Sequence, residues 1–219
     1  CMGLAFGFLN LRKSEHSFYE TSFNLFAIAC VPAYFLSTLW LDLPLWIYII
    51  TVIAALVQVY AWFKFLPILL KTRKNVLESY SPLLRYILVF VSFALSIKLL
   101  LQLGSTVPII SQLAFGFRPI VIAYLHLILL GIMTLFLLFY IYANHLILIS
   151  KNIKYGVFVF TIGVLLNEIV LAVQGVAAFS YTIIPFVNEI LFGVAILLLI
   201  GIGITALYSI KKVKNNPPL

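Results

Sequence analysis

The sequence predicts an all-α integral membrane protein, a polytopic bundle of transmembrane helices. Of its 219 residues, 64% are hydrophobic and only 9% are charged, and the mean hydropathy is +1.19. A soluble domain cannot bury that much apolar surface, whereas a bilayer removes the need to bury it. The basic residues stand in short clusters between long apolar stretches, which is the pattern of a multi-pass membrane protein.

The apolar stretches predict six transmembrane helices, preceded by the end of another helix at Met2–Leu11. Pro32 is expected to bend or locally open the first of the six. Between the third and the fourth, the segment Gly104–Phe117 is broken by glycine and proline, and we interpret it as a loop or half-helix at the membrane interface. The six predicted helices cover about Ser17–Leu41, Leu45–Leu70, Leu83–Leu103, Pro119–His145, Tyr155–Phe179 and Pro185–Ile210.

The distribution of the net charge of +8 predicts the orientation. Basic clusters occupy every second loop, and the turns between them hold Asp42, the lone Arg118 or no charge. By the positive-inside rule the basic loops are cytoplasmic, so both ends of the chain are predicted on the cytoplasmic side. This loop pattern argues against nucleic-acid binding and makes the lipid bilayer the expected partner. The clusters are Arg12 with Lys13, Lys71 with Arg73 and Lys74, Lys151 with Lys154, and Lys211 with Lys212 and Lys214.

The chain opens on Cys1 and on an apolar piece, Met2–Leu11, that is too short to cross a bilayer. Cys1 could be a processed lipoprotein cysteine, but we expect the stump of a helix whose first part is missing. Residues 1–219 would then be one transmembrane domain, the C-terminal half of a larger protein. Cys30 is interpreted as a small buried hydrophobe, and the sequence has no Cys/His cluster for zinc or iron–sulfur.

Three charged residues fall inside predicted membrane helices: Lys98, Glu168 and Glu189. Lys98 and Glu189 are each predicted about 7–8 Å from the outer end of their helix, at 1.5 Å of rise per residue. Ionisable groups in hydrocarbon normally turn inward and pair. In one alternative, Lys98 and Glu189 form an interhelical ion pair, and Glu168 and the neighbouring amides make packing contacts. In the others, the charged residues belong to a proton or ion path or line a cofactor pocket.

His126 lies about 12 Å along its predicted helix from Arg118. An imidazole at that depth needs a partner, which can be a hydrogen bond, an ion or a metal. One alternative is that His126 is a hydrogen-bonded core residue. The other is that it is a haem ligand, since haem iron takes one imidazole on each face and the surrounding cavity is lined by apolar side chains. His16 and His145 fall at cytoplasmic helix ends, where interfacial roles are expected.

The stretch Ile122–Gly131 resembles the tenth helix of haem–copper oxidase subunit I, particularly that of the C-family and of nitric oxide reductases. In that family an Ala-His-x-His segment holds two haems from one helix. Carried over by position, Tyr124 stands where the ligand of the high-spin haem would be, and His126 matches the ligand of the low-spin haem. Helix count and direction agree with the second half of the family's twelve-helix subunit.

The resemblance implies a low-spin haem with His126 as one axial ligand, and a second ligand from upstream helices outside this chain. No copper is expected, because the family's copper ligands have no counterpart in Ala33–Leu41. The family's arginine pair is absent from Ser180–Ile184, so Arg118 or Lys98 would replace it near the propionates. The implied role is electron transfer or haem or gas sensing in a prokaryotic inner membrane, alongside other membrane or redox subunits, without oxygen reduction.

The competing prediction is a protein without cofactors: a membrane transporter, an assembly factor or a structural subunit. A transporter would use Lys98, Glu168 and Glu189 as an ion or proton path. The sequence does not separate these alternatives from one another.

Overall fold

The computed structural model describes residues 13–38, 44–76, 81–144, 146 and 150–215, and within these ranges it is helical without a strand. A short 3₁₀ segment, Tyr34–Thr38, follows α1, and a π-helical segment, Leu127–Thr134, joins α5 to α6. The α-helices are α1 (Lys13–Ala33), α2 (Leu45–Val76), α3 (Pro82–Gly104), α4 (Pro108–Gly116), α5 (Arg118–His126), α6 (Leu135–Ala143), α7 (Lys151–Phe179) and α8 (Val187–Asn215).

Five stretches of the described chain are long and apolar enough to cross a membrane, which makes the chain an integral membrane protein. They match the last five predicted helices, and the predicted all-α polytopic bundle is confirmed. The first predicted helix is represented by a shorter apolar stretch, Thr21–Leu36. Its α-helix ends one residue after Pro32 and continues as 3₁₀, in agreement with the predicted opening. The five spans are Leu45–Pro67, Pro82–Gly104, Arg118–Ala143, Lys151–Ala178 and Val187–Ile210.

Some predictions fall on residues outside the described ranges. These concern Cys1, Met2–Leu11, Asp42 and His145. They stay predictions, as does the expectation that the chain is the C-terminal half of a larger protein. The segment predicted as a loop or half-helix contains α4, a nine-residue helix. Cys30, predicted to be buried, is exposed on α1, where an apolar membrane face accommodates a thiol as well as a core does.

The chain forms two compact units, of which the first comprises Cys1–Ser79 and Ser92–Arg118. Its core contains Trp62 and Phe65 from α2 and Leu99 from α3, against which Phe26 of α1 packs. The indole Nε1 of Trp62 donates a hydrogen bond of 2.8 Å to Ser96 Oγ, so the polar edge of this buried ring is satisfied. Three helices are thereby joined by one apolar cluster and one buried polar contact.

Three side-chain contacts fix how α2 and α3 lie against each other in this unit. Trp62 bonds Ser96, Gln58 bonds Gln102, and the Tyr48 hydroxyl donates to the Thr106 carbonyl at 2.9 Å. Residue numbers fall on α2 as they rise on its partner, so the two helices run antiparallel.

The second unit comprises Tyr80–Val91 and Pro119–Leu219, and its tightest packing is between α7 and α8. Glycines allow the two backbones to approach. A Cβ on Gly201 would lie 2.6 Å from the backbone nitrogen of Phe160, and one on Gly156 would lie 2.6 Å from Thr205 Oγ1. Lipid is as apolar as the side chains, so the hydrophobic effect does not drive helices together inside a membrane. Association depends instead on close van der Waals packing, which small residues allow.

Gly201→Ala is expected to lower the free energy of unfolding by about 1–3 kcal/mol, because the added methyl group meets the rigid backbone of α7. Gly193→Ala, on the same helix, is the matched control because nothing lies within 4 Å of its Cβ position. The control should be neutral or stabilising by up to about 1 kcal/mol, from helix propensity. Thermal unfolding of both variants in detergent measures the difference, and equal effects would contradict the close approach.

Candidate functional site

His126 is the last residue of α5, at the point where the chain changes from α- to π-helix. The π-helical segment, Leu127–Thr134, runs for eight residues and contains the buried Gly131. Its wide turns are supported by Thr134, whose hydroxyl donates 2.7 Å to the carbonyl of Leu129, five residues back. Such segments are rare and occur frequently at functional sites. The π-helical segment therefore favours a functional role for this region of the chain.

The His126 ring is half-buried, and its Nδ1 lies 2.9 Å from the carbonyl oxygen of Ile122. A carbonyl oxygen only accepts, so Nδ1 carries the hydrogen and donates it. In the neutral ring this leaves Nε2 with its lone pair, available to accept a proton or to ligate a metal. The predicted need of His126 for a partner is met in part by its own helix.

The second unit sets α5 antiparallel to α7. Near the start of α5, Ile120 fills the space above Gly175, with its Cγ1 3.5 Å from where a Cβ would be. Further along both helices, the Glu168 carboxyl group lies within electrostatic range of His126. The same antiparallel alignment accounts for the contact of Ile120 with Gly175 and for the proximity of Glu168 to His126, since moving six residues forward on α5 corresponds to moving seven residues back on α7.

Asn167, the residue before Glu168, places a side-chain amide beside the carboxyl group. It is buried, with 7% of its surface exposed, and its Nδ2 lies 3.5 Å from Glu168 Oε1. At that distance the contact is weak. Glu168 lies about 16 Å from the outer end of α7, and His126 about 12 Å from the start of α5. His126, Glu168 and Asn167 are referred to below as the His–Glu centre.

The other residues predicted around His126 are less closely grouped. Tyr124 is half-buried, but it lies two residues before His126 on an α-helix, so the two side chains leave on opposite sides. Arg118 is the exposed first residue of α5, and Glu189 is exposed in the first turn of α8. The predicted ion pair of Lys98 with Glu189 joins residues of different units and stays a prediction.

Lys98 belongs to a second polar cluster, which lies in the first unit. Its ammonium group donates to Gln102 Oε1, and Gln102 Nε2 donates to Gln58 Oε1 at 2.7 Å. Gln58 and Gln102 are 2% and 6% exposed. Gln58 was not predicted as a site residue; a lone glutamine in the middle of the apolar α2 was the signal that the sequence carried. Lys98, Gln102 and Gln58 are referred to below as the Lys–Gln cluster.

Two further observations bear on identity. Among the described residues, no three His, Cys, Asp or Glu side chains come together in a way that could hold a metal ion. Comparisons with protein-family models, with curated proteins and with solved structures each return no match. The chain is thus an α-helical integral membrane protein with two intramembrane polar groups, and the haem–copper oxidase resemblance stays a prediction.

The hydrogen bond from His126 to Ile122 predicts one tautomer of the ring. In a variant carrying His16→Gln and His145→Gln, His126 is the remaining histidine. We expect nitrogen-15 NMR of the nitrogen-15-labelled protein in micelles to show that Nδ1 is protonated and Nε2 is unprotonated at a pH where the ring is neutral. A neutral ring protonated on Nε2 would contradict the assignment of the donor.

Proposed function

We propose that the chain is a membrane transport protein in which Glu168 and His126 together carry a proton or a cation. The observation that supports this most is the electrostatic proximity of the two side chains on antiparallel helices, each more than two turns inside its span. Acidic and imidazole side chains inside membrane segments are costly, and they characteristically mark proton relays and ion pathways. We place it in a prokaryotic inner membrane, with the basic loops on the cytoplasmic side by the positive-inside rule.

The chemistry of the pair suits proton exchange. A neutral His126 that donates from Nδ1 offers Nε2 as a proton acceptor, and Glu168 is a carboxyl group that can supply or receive that proton. The Asn167 amide can orient one carboxyl oxygen in either protonation state, because it both donates and accepts. The adjacent π-helical segment has wider turns than an α-helix, which gives this part of the span a distinct local geometry.

Glu168→Gln is expected to lower proton flux by about tenfold or more, since the amide keeps the shape but cannot carry the proton. The measurement is dye-reported proton uptake into liposomes holding the purified protein under an imposed potential. Glu168→Asp is the matched control, because it keeps the carboxyl group, and it should retain measurable flux. Flux that is unchanged in Glu168→Gln would contradict a proton path through Glu168.

A second candidate function, binding of a low-spin haem, is supported by the tautomer of His126. A histidine that donates from Nδ1 to a backbone carbonyl has the orientation and basicity of a metal ligand through Nε2. His126 would therefore ligate the haem iron through Nε2. Haem in such a site would supply one-electron transfer. The exposed Arg118, at the head of α5, would balance the propionate charge.

The haem alternative has a spectroscopic test on the full-length protein. We expect the absorbance bands of a low-spin haem, lost in His126→Ala and kept in His145→Gln, a variant at the opposite end of the same predicted span. Protein that purifies without haem absorbance, and that gains none with added haemin, would exclude this function and leave the transport proposal standing. An unchanged spectrum in His126→Ala would exclude His126 as the ligand.

A further inference from the structure

The turn between α7 and α8 lies at a membrane surface. It comprises residues 180–186, which join the spans Lys151–Ala178 and Val187–Ile210. The turn is at the ends of α7 and α8 that are opposite their basic residues, on the side predicted to be non-cytoplasmic. It contains no charged residue. Residues 180–186 are referred to below as the outer loop.

The large apolar side chains of the outer loop are exposed rather than packed. Tyr181, Ile183 and Phe186 have 83%, 94% and 74% of their surface exposed. A group of exposed apolar side chains marks a surface that contacts protein or membrane. Lipid is the partner that the position of the loop favours, because both flanking helices leave the bilayer at this point.

Polar groups at the end of α7 are bonded within the chain. The carbonyl oxygen of Ala177 accepts from the hydroxyls of Ser180 and Thr182, each at 3.1 Å, and from the backbone N–H of Thr182 at 3.1 Å. The backbone N–H of Tyr181 donates to the carbonyl of Ala178 at 3.1 Å. The two backbone bonds form a Schellman motif. These polar groups therefore have partners that do not depend on water, while the large apolar side chains stay outside.

Two aromatic residues of the outer loop have backbone conformations that favour glycine. The φ angles of Tyr181 and Phe186 are 52° and 58°. Tyr181 occupies the position of the Schellman motif that is usually glycine. The carbonyl of Phe186 accepts from the backbone N–H of Ile190, which places Phe186 at the N-cap of α8, where small polar residues are preferred. Such strain is typical of functional positions, so a gain outside the backbone is expected to offset it.

We propose that the outer loop is a membrane anchor, with Tyr181, Ile183 and Phe186 inserted at the boundary between lipid headgroups and acyl chains. Tyrosine suits this boundary, because its ring is apolar and its hydroxyl reaches the headgroups. The bonded end of α7 can enter this layer without leaving its carbonyl groups unsatisfied. The absence of charge removes the main cost of insertion. The proposal does not rest on the His–Glu centre or on either function proposed for it.

The depth of Ile183 in a bilayer tests the proposal. In full chain carrying Cys1→Ser and Cys30→Ser, Ile183→Cys receives a nitroxide label, and the protein is placed in phosphatidylcholine liposomes. Spin-label relaxation by oxygen, which partitions into lipid, is compared with relaxation by a water-soluble nickel chelate. We expect oxygen to dominate and to place the label about 5–10 Å below the headgroups. Lys151→Cys, at an exposed site at the basic end of α7, is the control and should respond to nickel.

Two outcomes would overturn the proposal. A label at residue 183 that responds to nickel as strongly as the label at residue 151 would place the outer loop in water. A label that responds weakly to both reagents would show that protein covers the loop.

Variants at Tyr181 test its ring. Tyr181→Asn keeps a residue that the Schellman position accepts and removes the ring, so the label at residue 183 should move towards the water. Tyr181→Trp is the matched control, because tryptophan is also enriched at membrane interfaces, and the label should keep its depth. The same label depth in Tyr181→Asn as in Tyr181→Trp would overturn the role of Tyr181 in the anchor.

Discussion

Hydrocarbon offers no hydrogen-bond partners, and the described structure depends on that fact throughout. Each apolar stretch is helical because only a helix satisfies the backbone within a single segment. Polar side chains in the spans follow the same rule. Trp62 bonds Ser96 across two helices, and Thr205 and Ser209 bond carbonyls one turn back on their own helix. Two further sets of polar residues form the His–Glu centre and the Lys–Gln cluster.

Glycine packing determines where the His–Glu centre lies. Gly156 and Gly201 bring α7 and α8 into backbone contact, and Gly175 admits Ile120 of α5 against α7. The register of α7 against α5 places Glu168 within electrostatic range of His126. A residue larger than alanine at Gly175 would press on Ile120 and shift α5 against α7. The proposed chemistry of the pair therefore depends on positions that carry no chemistry themselves.

The sequence by itself determined the membrane class and most helix bounds, because bilayer thickness and apolar length fix these without long-range contacts. It also singled out His126, Lys98 and Glu168, since charge or imidazole in an apolar run is visible locally. Tertiary structure alone decided the partners: Glu168 near His126, and Gln58 joined to Lys98 through Gln102. Those depend on interhelical register, which is set by glycine contacts and side-chain packing far apart in the sequence. The π-helical segment after His126 was not predicted from the sequence either.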